Sequence, residues 1–239
     1  MRVAVFMPDG ATLLLDGPDL RPRLHDVRSG RLLAAAPDAE PPAGGLFSAF
    51  VLDPAGRRLA ASGKDGRITV WSVPALERIA TFGEHGVGAA PGHSGDVRCL
   101  DWSRDGRLLA SGGDDSRVGL WDVERRECRA FFRAQEFALT SVGFSPDETR
   151  LLTTGHDGAS HLWDLATLER WLTLQSRDEV LWSGCFSADG REVVAVGADG
   201  TVRRAPVEPL EVARARKPRE LTAEERRLHE LEPAANGAR

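Results

Sequence analysis

Short apolar runs recur along the chain, split by turns that carry Asp and Gly. Arg107 to Ser111 and Arg117 to Trp121 are one such pair, separated by Gly112, Gly113, Asp114, Asp115 and Ser116. Runs of this length, rich in β-branched and aromatic residues and bounded by turn formers, predict β-strands joined by hairpins. A further strand is predicted after each pair, at Arg31 to Ala35, Glu77 to Phe82, Glu127 to Phe132, Trp171 to Gln175 and about Leu210 to Ala215. No long segment with a helical period interrupts them, so the chain reads as all-β.

The runs are phased. An apolar residue opens each of five copies: Phe6, Leu52, Trp102, Phe144 and Phe186, at intervals of 46, 50, 42 and 42. Thirteen positions after each opener stands an aspartate: Asp19, Asp65, Asp115, Asp157 and Asp199. Nineteen positions after it stands His25, Trp71, Trp121, Trp163 or Ala205. An Asp in a tight turn caps its own backbone amides, so the five aspartates read as structural groups and not as catalytic acids. One small four-stranded sheet cannot hide both its faces, and stacking copies around an axis buries them against each other.

The period, the Trp-Asp pairs at 121–122 and 163–164 and the Gly92-His93 dipeptide resemble the WD40-repeat family, over about residues 1–215. The resemblance implies a WD40-like β-propeller with five recognisable four-stranded blades, at about 1–40, 46–85, 93–134, 137–176 and 179–215. In that family a His, a Ser or Thr, the turn Asp and the Trp form a hydrogen-bonded set within a blade. Only the third copy has all four, as His93, Ser111, Asp115 and Trp121. The first and last copies lack the Trp.

The chain enters the first blade at an innermost strand and leaves the last at an outermost one. No blade therefore mixes strands from both chain ends, and closure rests on side-chain packing between the first and last copies. A ring built so is expected to be strained, or open and completed by another subunit or chain. Residues 216–239 form a charged tail, preceded by Arg214 and including Arg216, Lys217 and Arg219. In it Thr222-Ala223-Glu224-Glu225 reads as a capping box that opens a short C-terminal helix over about 222–231. Two linkers, Pro37 to Gly45 and Gly83 to Gly92, exceed what the period needs. In the family such loops lie on the face that commonly binds partners.

Composition excludes more than it identifies. The net charge is −5, which gives no reason to expect a nucleic-acid surface. No apolar stretch approaches the ~20 residues of a membrane span, and the first residues do not read as a signal peptide. Only Lys64 and Lys217 are lysines, Asn236 is the one Asn and there is no Tyr; these residues have AT-rich codons, so a GC-rich, bacterial source is expected. Cys99, Cys128 and Cys185 match no metal or redox spacing and read as reduced thiols of a cytoplasmic protein. No phosphate-binding loop and no nucleophile elbow occur. His229-Glu230 fails as a zinc-protease motif because Pro233 stands where the second His should be.

The chain therefore reads as a non-enzyme with neither cofactor nor metal, a WD40 scaffold for protein–protein interactions. A sensory portion of a larger bacterial signalling protein, associated with an ATPase or kinase, is the alternative; a metal-dependent propeller hydrolase is a third. The expected partners are proteins, with self-association as a further option, and neither nucleic acid nor membrane. By analogy with the family, residues just before the turn aspartates (Lys64, Asp114, His156 and Ala198) point to one face. Residues at the start of the innermost strands (Asp96, Arg98, Thr140 and Trp182) point there too. Trp182 reads either as a binding anchor or as a core residue, because Leu181 and Phe186 already fill the apolar slots of its strand.

Overall fold

The structure, a computed structural model, describes residues 4–16, 21–37, 47–83, 91–175 and 180–208. The chain divides into two compact units, Met1–Val207 and Glu208–Arg239, and all that follows concerns the first. Its described elements are strands, arranged as five antiparallel meanders in chain order. The first sheet comprises β1 (Ala4–Phe6), β2 (Thr12–Asp16), β3 (Pro22–Asp26) and β4 (Leu32–Ala35). The second comprises β5 (Phe47–Leu52), β6 (Arg58–Gly63), β7 (Ile68–Ser72) and β8 (Arg78–Phe82). The third comprises β9 (Val97–Trp102), β10 (Leu108–Gly113), β11 (Arg117–Asp122) and β12 (Glu127–Arg133). The fourth comprises β13 (Leu139–Phe144), β14 (Arg150–Gly155), β15 (Ala159–Asp164) and β16 (Arg170–Gln175). The fifth comprises β17 (Leu181–Phe186), β18 (Glu192–Gly197) and β19 (Val202–Pro206). The strand expected near Leu210 to Ala215, Asp19, the helix at 222–231 and most of both long linkers lie outside the described residues.

The phasing seen in the sequence is the register of these sheets. Each opener is the last residue of its sheet's first strand. Asp65, Asp115, Asp157 and Asp199 occupy the bend between the second and third strands of sheets two to five. In each bend the carboxylate accepts the amide two residues on: Arg67, Arg117, Ala159 and Thr201, at 3.2, 3.1, 3.1 and 2.9 Å. The residue after each Asp is left-handed, which selects Gly66, Gly158 and Gly200 and forces Ser116 to φ 64°. Gly66 is required twice over, because a Cβ there would sit 2.1 Å from the His93 carbonyl oxygen of the next sheet's lead-in.

The first strands β5, β9, β13 and β17 lie against one another in succession, which makes them innermost. Among the described residues, each cluster of buried apolar side chains bridges one successive pair of sheets. The same register positions build every bridge. The residues eight and eighteen after an opener (Leu14 and Leu24, Ala60 and Val70, Ala110 and Leu120, Leu152 and Leu162) face the following sheet. They meet that sheet's residues at plus seven (Leu59, Leu109, Leu151, Val193) and, where present, its Trp at plus nineteen. The openers Leu52, Trp102, Phe144 and Phe186 also pack back on the preceding sheet.

This rule explains the two odd copies. The plus-nineteen side chain faces backwards, and no apolar cluster of the described residues lies behind the first sheet; His25 there bonds the Gly30 carbonyl at 3.2 Å. In the fifth sheet Ala205 takes the Trp position and leaves a cavity of about 360 Å³ against the fourth sheet, lined by Ser160, Leu174, Val193 and Arg203 among others. No apolar cluster of the described residues joins the fifth sheet to the first. Phe6, the first opener, is 63% exposed, and Val202, sixteen after the last opener, is 65% exposed although its equivalents Ile68 and Val118 are fully buried. Among the described residues, then, the five sheets form an array whose first and fifth members share no apolar junction.

Val118 and Val202 thus hold one register position with and without a neighbouring sheet. Val118→Ala should cost about 2 kcal/mol by lost burial and residual cavity. Val202→Ala should stay within about 0.5 kcal/mol. Urea titrations of both variants measure the contrast.

Candidate interaction surface

The third sheet contains a continuous polar chain in its interior. The Trp121 indole N–H donates to Ser111 Oγ at 2.8 Å, and Ser111 Oγ lies 2.8 Å from His93 Nε2. His93 Nδ1 lies 2.9 Å from Asp115 Oδ1. With Nδ1 protonated, the ring donates to the carboxylate and accepts the Ser111 hydroxyl, so every member is satisfied. That matters because His93 and Ser111 are fully buried and an unpaired polar group there costs about 1–3 kcal/mol. Burial raises the Asp115 carboxyl, but the bond from His93 and the Ser94 and Arg117 amides outweigh it and hold the group below the ordinary carboxylate value.

The neighbouring sheets carry partial versions. In the fourth, Gln135 stands where His93 stands, and Thr153 replaces Ser111. The Trp163 indole donates to Thr153 Oγ1 at 3.0 Å, and the Gln135 amide donates to Thr153 Oγ1 and to the Ala159 carbonyl. In the second, Ala61 takes the hydroxyl position and the Trp71 indole N–H is buried without a partner. Ala61→Ser should restore that bond and add about 1 kcal/mol to stability, read as a rise in urea midpoint.

Other bend carboxyls are held low as well. The Ser103, Ser145 and Ser187 hydroxyls lower Asp105, Asp147 and Asp189, and the Thr201 hydroxyl lowers Asp199. All of these bind protons more weakly folded than unfolded. Their stabilisation is complete above the ordinary carboxylate range and is lost as pH falls through the lowered values. Asp101, raised by burial, works in the opposite sense. The urea midpoint should therefore decline modestly below about pH 6.5, where His161, lowered by burial, takes up its proton more readily unfolded than folded, and fall more steeply below about pH 4, and Asp115→Asn should flatten the steeper fall.

One rim of the array gathers the remaining register positions. Four residues before each opener stand Ser48, Arg98, Thr140 and Trp182, and twelve after it stand Lys64, Asp114, His156 and Ala198. The second set is tied down identically in three sheets: the amides of Asp114, His156 and Ala198 donate to the carbonyls of Asp96, Ala138 and Val180 at 2.9, 3.0 and 2.8 Å. Between these fixed points the side chains form contacts along the rim. The Arg98 guanidinium pairs with both oxygens of Asp114, and Ser48 donates to the Asp96 carboxylate of the next sheet. The rings of His156 and Trp182 meet edge to face at 6.1 Å and 80°. Lys64 is exposed. Thr140 is different: its hydroxyl contacts Thr154 Oγ1 at 2.9 Å and donates to the Leu181 carbonyl at 2.6 Å, so it stitches two sheets and is engaged within the fold.

Trp182 is 58% exposed, with Leu181 buried beneath it. Its strand needs no further apolar group, and the indole stands out beside His156. Phe137 was not legible as a candidate in the sequence, yet it is 61% exposed. It borders a cleft of about 710 Å³ with Arg133, Gln135, His161, Arg170 and Thr173. The cleft exists because two covering side chains of the third sheet are replaced in the fourth. Phe131, which lies 5.1 Å from His93 under the Arg117 guanidinium, becomes Thr173, and Arg117 becomes Ala159. Burial first, and Arg170 second, lower His161 below its ordinary value, so the cleft carries a neutral imidazole near pH 7. The one signal available in the sequence was an aromatic at a linker position where the preceding copy has Gly95.

No group of three His, Cys, Asp or Glu side chains converges for a metal ion among the described residues. No helix long and apolar enough to cross a membrane occurs among the described residues. The three cysteines are unpaired, and burial pushes the Cys99 thiol up to about 12, which removes its nucleophilic form. The family model described as WD domain, G-beta repeat matches residues 79–122 and 126–164. Those spans run from β8 to the end of β11 and from the edge of β12 to the end of β15, the sheets with the most complete polar sets. No curated protein matches the chain.

Proposed function

We propose that the chain is a non-catalytic scaffold that seats a protein partner on the rim around Trp182, because two of its stretches match the WD40 repeat, whose copies mediate protein–protein interactions in general. The observation that carries this reading is the half-bare indole of Trp182, braced edge-on by His156 over a strand whose core positions are already filled. Tryptophan and arginine carry a disproportionate share of interface energy, and a rigid aromatic loses little entropy when it docks. Arg98 and Asp114 supply a polar flank on the same rim, with Asp96 and Lys64 further along it.

Mixed signs on the rim and a net charge of −5 suit a protein surface better than a phosphate backbone. The rim carries no nucleophile paired with a base, which supports a binding role over a hydrolytic one. Unpaired thiols in every sheet that has one fit a reducing compartment such as the cytoplasm.

Immobilised wild type should retain a protein from lysate that Trp182→Ala loses. Against the isolated partner, affinity should drop about thirtyfold, which corresponds to about 2 kcal/mol at a central aromatic. The melting temperature should not change, because the side chain is outside the core. Equal retention by the two proteins would dismiss the rim as the contact surface, and a collapsed melting temperature would return Trp182 to the core.

A further inference from the structure

We infer that the two bare ends of the array are the two halves of one interface, and that a second copy of this chain docks on them head to tail. Each internal junction is built from a forward face, at positions eight and eighteen after an opener and in the second and third sheets sixteen as well, and a backward face, at the opener, position seven and, where a Trp stands there, nineteen. The chain repeats this junction between every pair of adjacent sheets and then leaves one example of each half bare. At the backward end Phe6 is exposed and Leu13 only half-buried, although Leu59, Leu109, Leu151 and Val193 at the same position as Leu13 are buried. At the forward end Val202 is exposed and Val194 half-buried, although Ala60, Ala110 and Leu152 at the position of Val194 are fully buried. Val196 is exposed too, where Ser62 and Thr154 are buried.

The occupant follows from the pairing. A partner of unrelated shape would need one sticky face, but this chain carries both complementary halves, and no cluster of the described residues lets them meet within one molecule. A second copy brings a backward face to the forward one by the packing rule already used inside each molecule. Contact of unlike faces is heterologous, so it propagates unless the geometry closes a ring. Position eighteen is an apolar residue in the first four sheets and Arg204 in the fifth, paired there with Glu192 of the same sheet. That ion pair makes the junction weaker than the internal ones, and the association concentration-dependent and reversible.

Sedimentation velocity of the 239-residue chain across a range of concentrations tests this. Wild type should populate species heavier than the 25.9 kDa monomer. Phe6→Glu spoils only the backward face and Val202→Glu only the forward face, so each variant alone should remain monomeric. Mixed in equal amounts they restore one intact junction, Phe6 of one against Val202 of the other, and should form a dimer that grows no further. A wild type that stays monomeric at every concentration overturns the proposal. So does a variant that still self-associates, or a mixture that stays monomeric. Unchanged melting temperatures establish that both variants fold, with Phe6→Ser and Val202→Ser as milder replacements if either does not. Trp182→Ala should self-associate like wild type, so the outcome here is separable from that of the rim.

Discussion

A four-stranded antiparallel sheet has two faces and, at the length of these strands, too little surface to shelter either by itself. Everything in this chain answers that constraint. In the first four sheets the residues eight and eighteen after the opener are apolar on one side, and in the last four those at seven and nineteen are apolar on the other. Neither set would be tolerated in water, and each becomes core only when the next sheet arrives. Burial falls away at the two end sheets: Val202 is bare where Ile68 and Val118 are sealed, and Phe6 is exposed where the other openers are half-buried or buried.

The polar set of His93, Ser111, Asp115 and Trp121 is subordinate to that packing. It lets the indole lie flat across the junction by giving its N–H a partner, and it anchors the lead-in to β9 on the bend at Asp115. Sheets that lack members compensate with apolar material: Trp71 is held edge-on by Phe47 at 6.0 Å while its N–H goes unpaired. The graded loss from the third sheet outwards shows that a junction needs the aromatic volume more than the hydrogen bond. Even the volume is dispensable at Ala205, at the expense of a cavity.

The bend aspartates and the tryptophan register were legible in the sequence because each obeys a local rule: an amide two residues on, and a strand position that alternates with its neighbours. The bare faces at the two end sheets were not legible: only the burial of Val118 beside the exposure of Val202 locates them. Phe137 and its cleft were not legible, because they depend on what Thr173 and Ala159 fail to cover, and an uncovered surface leaves no mark in a one-dimensional pattern. The same limit applied to Trp182, whose register allowed either burial or display.

The rim proposed for binding and the faces proposed for assembly fall on different positions for a geometric reason. Side chains at plus seven, eight, eighteen and nineteen point along the array, into the neighbouring sheets, and are committed to packing wherever a neighbour exists. Side chains four before the opener and twelve after it stand at the strand ends, outside the apolar junctions, so apart from those that bond a neighbouring sheet, as Thr140 and Ser48 do, their substitution costs the packing little. That freedom accounts for the variety of the rim, which runs through Ser48, Lys64, Arg98, Asp114, His156 and Trp182, while the junctions repeat little beyond Leu, Val, Ala and Trp. A surface so variable beside junctions so uniform is what a scaffold requires: a frame that repeats, carrying an edge that does not.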